Sequence, residues 1–168
     1  MKIVKIILVG IGATVAIDCF TFIVSLVGNT SRGILFLGRW LAYMPKGKFL
    51  HHSIVETPSI TNELLIGQIA HYSIGITFAF LLVAIYGSKW LTKPKLFPAL
   101  VIALISLILP IFILQPALGF GIAFSNRPEQ GLLILKSLMI HLVYGFGLYQ
   151  SAKTINGVRN TSFQRIKH

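Results

Sequence analysis

The chain has 168 residues, enough for one domain, and is 55% hydrophobic but only 11% charged, with mean hydropathy +0.81. Soluble domains carry roughly 25% charged residues, so this one has too little polar surface to stay dispersed in water. Its formal charge of +11, from 15 Lys and Arg against 4 acids, falls between long apolar runs rather than in a basic stripe interleaved with aromatics. That pattern points to anionic lipid and excludes a nucleic-acid strand.

The first apolar run, about residues 3–28, exceeds the roughly 20 residues that cross about 30 Å of hydrocarbon. Lys2 and Lys5 mimic the start of a signal peptide, but the run is too long, holds Asp18 and lacks a good cleavage site. Gly10-x-Gly12 mimics a nucleotide-binding turn without its third glycine or its strand–turn–helix context, so these glycines are expected to let helices pack closely. The single cysteine, Cys19, excludes an intramolecular disulfide and is expected as a buried thiol.

Residues 29–62 form the one long loop. Arg32, Arg39 and Lys46 recur every seven residues, and Ile34, Leu37, Leu41 and Met44 recur at helical spacing beside Trp40 and Tyr43. This predicts a short helix in the membrane interface, ended by Pro45, with an ordinary loop carrying snorkelling cations as the alternative. Further on, His51, His52 and Glu56 read as surface residues rather than as a metal site.

Three more runs follow, at about 64–86, 96–117 and 132–152. Pro110 and Pro116 interrupt the third and predict a kink near Pro110. Gln115-Pro116 followed by Gly119-x-Gly121 reads as a turn or short re-entrant cap. Pro128 and Glu129 suit the first turn of the fourth helix, and residues 153–168 form a basic tail. No period-two alternation of the barrel kind occurs, so the spans are helices. With the N-terminus inside, nine Lys and Arg fall on the inner side and six on the outer. Both termini are therefore expected in the cytoplasm.

Ionisable groups inside spans are costly and usually face a bundle interior or a cavity. Asp18, His71 and His141 each lie about nine or ten residues from the outer end of their helices, one common depth at 1.5 Å per residue. Gly10, Thr14, Asp18, Thr21, Ser25 and Gly28 share a sector of about 80° on the first helix. Gly67, His71 and Gly75 share a face of the second, flanked by Glu63 and Gln68. Ser137, His141, Tyr144 and Gly145 group on the fourth. These stripes are expected to meet in a polar centre of Asp18, His71, Tyr72, His141 and Tyr144, with Gln115 facing the same cavity. Arg39, Trp40, His51 and Glu63 are the candidates of the outer loop.

Several chemistries fit such a centre. A carboxylate with two imidazoles can pass protons or hold a transition metal, and His71 with His141 could clasp haem iron. The plainest alternative is that Asp18 hydrogen-bonds a histidine and sets the packing. No His-Glu-x-x-His, nucleophile elbow or zinc cysteine pair marks an enzyme, and no cofactor is expected.

The order of motifs carries a resemblance. Gly38-Arg39-Trp40 is followed by Gly47-x-Phe49-x-His51 and Ile54, then Glu63, Gly67, His71-Tyr72, Gly75 and Gly87-x-x-Trp90. Pro98-Ala99-Leu100, Pro110-x-Phe112, Gln115-Pro116-Ala117-x-Gly119-x-Gly121, His141 and Gly145-x-Gly147-Leu148-Tyr149 complete the series. From about Gly10 to Ala152 the chain resembles a family of small bacterial membrane proteins known as a domain of unknown function, family 2938. Phe124 departs from the small residue expected at its turn. The resemblance implies membrane location and adds weight to Asp18, His71, Gln115 and His141, and it implies no activity.

The reading is thus an all-α, four-helix integral membrane bundle with a short interfacial helix in the first outer loop. It is expected in the cytoplasmic membrane, against anionic lipids on the inner side. Its leading function is permeation of a proton, ion or small solute. Its alternatives are a structural or assembly subunit and a haem or metal protein. Four helices are few for a complete pathway, which leaves room for a homo-oligomer or a membrane complex.

Overall fold

The computed structural model describes residues 2–26 and 32–165, with side chains described as far as residue 157. Gly28, the start of the long loop at residues 29–31 and the end of the tail at residues 166–168 lie outside the described residues. The elements are α1 (Lys2–Leu26), α2 (Gly33–Tyr43), α3 (Glu63–Tyr86), α4 (Leu96–Ser106), α5 (Gln115–Ala117) and α6 (Gln130–Arg165), with no strand among the described residues. Short 3-10 turns cover Met44–Lys46, Ser88–Leu91 and Ile122–Phe124. Four stretches, Lys2–Leu26, Glu63–Tyr86, Leu96–Ala117 and Gln130–Gly157, are long and apolar enough to cross a membrane. Large apolar side chains such as Phe22, Ile69, Phe97, Phe112 and Phe146 point outward. A helix apolar on all sides belongs in a core or in lipid, so these helices suit a membrane.

The four stretches pack antiparallel. Helix α1 lies between α3 and α6, α4 packs on α6, and α2 packs on the first turns of α3. Glycines mark the crossings. A Cβ on Gly10 would meet Ile76 Cα at 2.7 Å, and one on Gly75 would meet Thr14 Oγ1 at 2.1 Å, where α1 crosses α3. Gly12 and Gly147 fill the α1–α6 crossing, with a Cβ on Gly147 only 2.9 Å from Ala13 Cα. So Gly10 and Gly12 serve helix packing, as expected of small residues where lipid supplies no hydrophobic drive.

The third span breaks where its prolines require. Regular helix stops at Ser106, and residues Pro110–Leu114 form a π-type turn before α5. Proline lacks the N–H for an i−4 bond, and the wider turn absorbs the mismatch. Then Gly119 and Gly121 turn with φ 86° and 74°. Phe124 is left-handed as well, at φ 63° and only 8% exposed. A bulky residue rarely takes that conformation, so the departure noticed at this position is a strained turn held by burial.

Two expectations change. Cys19 is exposed on the outer surface of α1, not buried, because the inward stripe runs through Thr14, Ile17 and Thr21. The last helix begins at Gln130, just past Pro128 and Glu129, and continues through the expected tail to Arg165. At 36 residues it is roughly 54 Å long, far more than a span requires.

The packing is uneven along the bundle axis. The dry core of Val9, Ala13, Leu82, Ile102, Ala103 and Leu148 occupies the half toward the chain termini, here the tail face. Trp90 and Leu91 plug that end, where Asn156 donates to Leu91 O at 2.9 Å and pairs with Lys5. The other half, toward the long loop, holds a chamber capped by α2.

Candidate functional site

The chamber has a volume of about 350 Å³ and opens where α1, α2, α3, the broken third span and α6 converge. Its wall is mostly aliphatic and aromatic. Thr14, Trp40, His71, Ser106, His141 and Tyr144 supply its polar side chains. The kink helps make the space: Pro110, Ile113 and Leu114 of the π-type turn line it where a straight helix would continue inward.

Of the residues expected to form a polar centre, His71, His141 and Tyr144 line the chamber, whereas Asp18, Tyr72 and Gln115 do not. Asp18 sits on the α1–α3 seam with its side chain 28% exposed. Tyr72 donates to Asp18 Oδ2 at 2.8 Å. His71 Nε2 lies 3.4 Å from Asp18 Oδ1, beyond a good hydrogen bond, and finds no better partner. His71 therefore joins the two neighbourhoods, with a carboxylate on one side and the chamber on the other. His141 Nδ1 donates to Ser137 O at 2.7 Å, and Tyr144 donates to Gly75 O at 2.6 Å across the α3–α6 contact. Gln115 carries a buried Oε1 without a hydrogen-bond partner, outside the chamber wall.

The outer-loop candidates form a second polar cluster of a different kind. Arg39 and Glu63 make a bidentate ion pair at 2.8 Å through Nε and Nη2, each residue only 7% exposed. The remaining guanidinium donors reach Ile54 O at 3.0 Å and Thr57 O at 2.8 Å, and Glu63 accepts from Ile60 N at 3.0 Å. Arg39 thus staples the loop to the first turn of α3. The carboxylate beside it raises the guanidinium above its ordinary pKa, against the opposing effect of burial. The heptad of Arg32, Arg39 and Lys46 is not one cationic face, because Arg39 turns inward while Arg32 and Lys46 stay exposed. Backbone contact between α2 and α3 permits this: a Cβ on Gly38 would fall 1.7 Å from Glu63 O, and one on Gly67 2.0 Å from Ile34 O.

His51 departs from the surface reading, being 4% exposed, whereas His52 and Glu56 are exposed. The Thr57 hydroxyl donates to Ser53 O at 2.8 Å, so His51 Nδ1, 3.0 Å away, must donate to Thr57 Oγ1. Burial, with Lys48 nearby, lowers the His51 pKa. The loop also binds the turn after α5: His51 N donates to Ala117 O and Ile54 N to Leu118 O, at 2.9 and 3.0 Å. Trp40 donates its indole N–H to Phe49 O at 2.8 Å while its side chain lines the chamber.

Sequence reasoning singled out Arg39 and Glu63 but did not pair them, and it missed Thr57 and Ser106. One signal was present: an arginine within a helical apolar pattern, and a lone glutamate opening the next apolar run, are two costly charges in want of each other. Among the described residues no cluster of three or more His, Cys, Asp or Glu could hold a metal ion. No curated protein and no solved structure matches the chain. A family model described as "Protein of unknown function (DUF2938)" matches residues 7–155, nearly the whole chain, and the chain belongs to that family.

Proposed function

We propose that this is a multi-pass protein of the bacterial cytoplasmic membrane that admits a small, largely apolar solute to a chamber near the bilayer midplane and exchanges a proton at its rim. The observation that carries this reading is the chamber itself, about 350 Å³ with His71, His141 and Tyr144 in its wall. Its aliphatic lining favours a neutral solute over a bare ion, because desolvating an ion in such a wall is costly. Asp18 and His71, 3.4 Å apart, are the pair between which a proton would move.

The excess of Lys and Arg on the side of the termini supports a cytoplasmic placement of both ends, facing anionic lipid. A homo-oligomer, or a partner in a membrane complex, completes the pathway that four helices leave short. One observation favours the structural alternative: the Tyr72–Asp18 hydrogen bond at 2.8 Å is also what helix packing alone would need.

Reconstituted liposomes with an internal pH dye separate the two. Under the transport reading, Asp18→Asn and His71→Ala each fold to normal abundance and lose solute-dependent proton movement. Variants that fold poorly, with no flux defect beyond their lower abundance, establish the structural reading.

A further inference from the structure

The chamber's polar groups share a property that their identities do not reveal. The Thr14 hydroxyl donates to Gly10 O at 2.9 Å, Ser106 to Ala103 O at 2.7 Å, and Tyr144 to Gly75 O at 2.6 Å. The Trp40 indole donates to Phe49 O at 2.8 Å. His141 Nδ1 faces Ser137 O at 2.7 Å, and a carbonyl only accepts, so the ring proton sits on Nδ1. The neutral imidazole is then left with the bare lone pair of Nε2. His71 turns Nε2 toward the Asp18 carboxylate at 3.4 Å. Since a carboxylate likewise only accepts, the favoured tautomer keeps its proton on that side and leaves Nδ1 as an acceptor. Every other donor side chain in the wall is thus bonded within the protein, and the His71 N–H is turned toward Asp18, while lone pairs remain.

We propose that the chamber selects apolar molecules bearing a hydroxyl donor, with His141 Nε2 as the principal acceptor. A carbonyl, an ether or an anion brings only lone pairs, and in this wall they would lose water without gaining a partner. A neutral alcohol gains one hydrogen bond and buries its chain against Ile17, Phe78 and Leu109. At about 350 Å³ the space is at the small end of ordinary ligand sites, suited to a medium-chain alcohol. This inference rests on the proposed reading of the chamber as the solute site, and it names the solute's chemical class.

The test compares two isomers of equal composition, 1-octanol and 1-methoxyheptane, on the full chain in lipid nanodiscs. Emission of Trp40 reports occupancy, Trp40→Phe gives the blank, and empty nanodiscs correct for partitioning. The alcohol is expected to bind about fivefold tighter than the ether, the worth of one net hydrogen bond. In His141→Leu the preference collapses to about unity while ether binding persists. In His141→Gln, which keeps a polar side chain and adds an N–H, the ether gains a partner and the gap narrows.

Equal binding of the isomers, tighter binding of the ether, or no emission change beyond the blank overturns the proposal. So does a preference that survives both variants. Liposomes that move no protons would sink the transport reading and leave alcohol selectivity standing. Equal binding in a protein that does move protons would do the reverse.

Discussion

The two polar clusters of this molecule differ in how completely they are satisfied. Around Arg39 and Glu63 the guanidinium finds a carboxylate and two carbonyls, the carboxylate finds a backbone N–H, and both charged residues are buried. Around Asp18 and His71 the contact is long, His71 Nε2 is left without a hydrogen bond, and the carboxylate is partly exposed. A saturated buried network has no capacity left for a ligand and serves to specify one arrangement of the chain. An unsaturated one beside a cavity retains capacity, which is where binding and proton exchange are sought. An ionisable side chain is therefore committed, or still open to a partner, according to what its neighbours leave unpaired.

The sharpest way to break this comparison is to remove the guanidinium. Arg39→Ala leaves Glu63 buried and unpaired and frees two loop carbonyls, and losing one partner of a buried pair costs about 3–5 kcal/mol. Thermal unfolding in detergent should show a large drop or no folded protein, and a melting temperature equal to the parent's would mean that the cluster is not what holds the loop. A smaller effect is expected from Gly38→Ala. Its Cβ would fall 1.7 Å from Glu63 O, so α2 must lift from α3, at an overpacking cost of about 1–3 kcal/mol. Gly131→Ala is the control, since a Cβ there meets nothing within 4 Å.

What the sequence made legible follows the same division. Apolar length, the Pro110 kink and the short helix ended by Pro45 are local properties, and all three are present. Depth along a helix is also local, and it placed Asp18 and His71 side by side. Rotation about the helix axis was less legible. Thr14 faces the chamber while Asp18, about 40° further round the axis, falls on the seam, a difference that an 80° sector cannot resolve. The pairing of Arg39 with Glu63 was not drawn from the sequence, because they are 24 residues apart and meet only once Gly38 and Gly67 let α2 lie against α3. The chamber, too, arises from packing: it depends on how far the π-type turn pulls the third span aside.

The unsaturated cluster predicts a milder stability effect and a larger functional one. Asp18→Asn keeps an oxygen to accept from Tyr72 and removes a charge from an apolar setting, so unfolding should move by about 1 kcal/mol or less in either direction. Proton movement in liposomes should nevertheless be lost. A loss of stability comparable to that of Arg39→Ala would erase the distinction between the two clusters.

The smallest expected effect tests whether the saturated cluster extends to His51. Burial and the nearby Lys48 hold its pKa below the ordinary 6.5, so the unfolded chain binds a proton at His51 more readily than the folded one. Where the unfolded state binds more protons, stability rises with pH. The contribution of neutral His51 is therefore complete above about pH 6.5 and declines as the pH falls below it. Protonation would put a charge on a ring that is 4% exposed and already donates to Thr57 through Nδ1, with Nε2 buried and unpartnered. Melting temperatures of the parent should fall between pH 7.5 and pH 5.5, and His51→Asn, whose amide can still donate to Thr57 but does not titrate, should flatten part of that fall. An unchanged slope in the variant would assign the acid sensitivity to other groups, and would end the saturated cluster at Thr57.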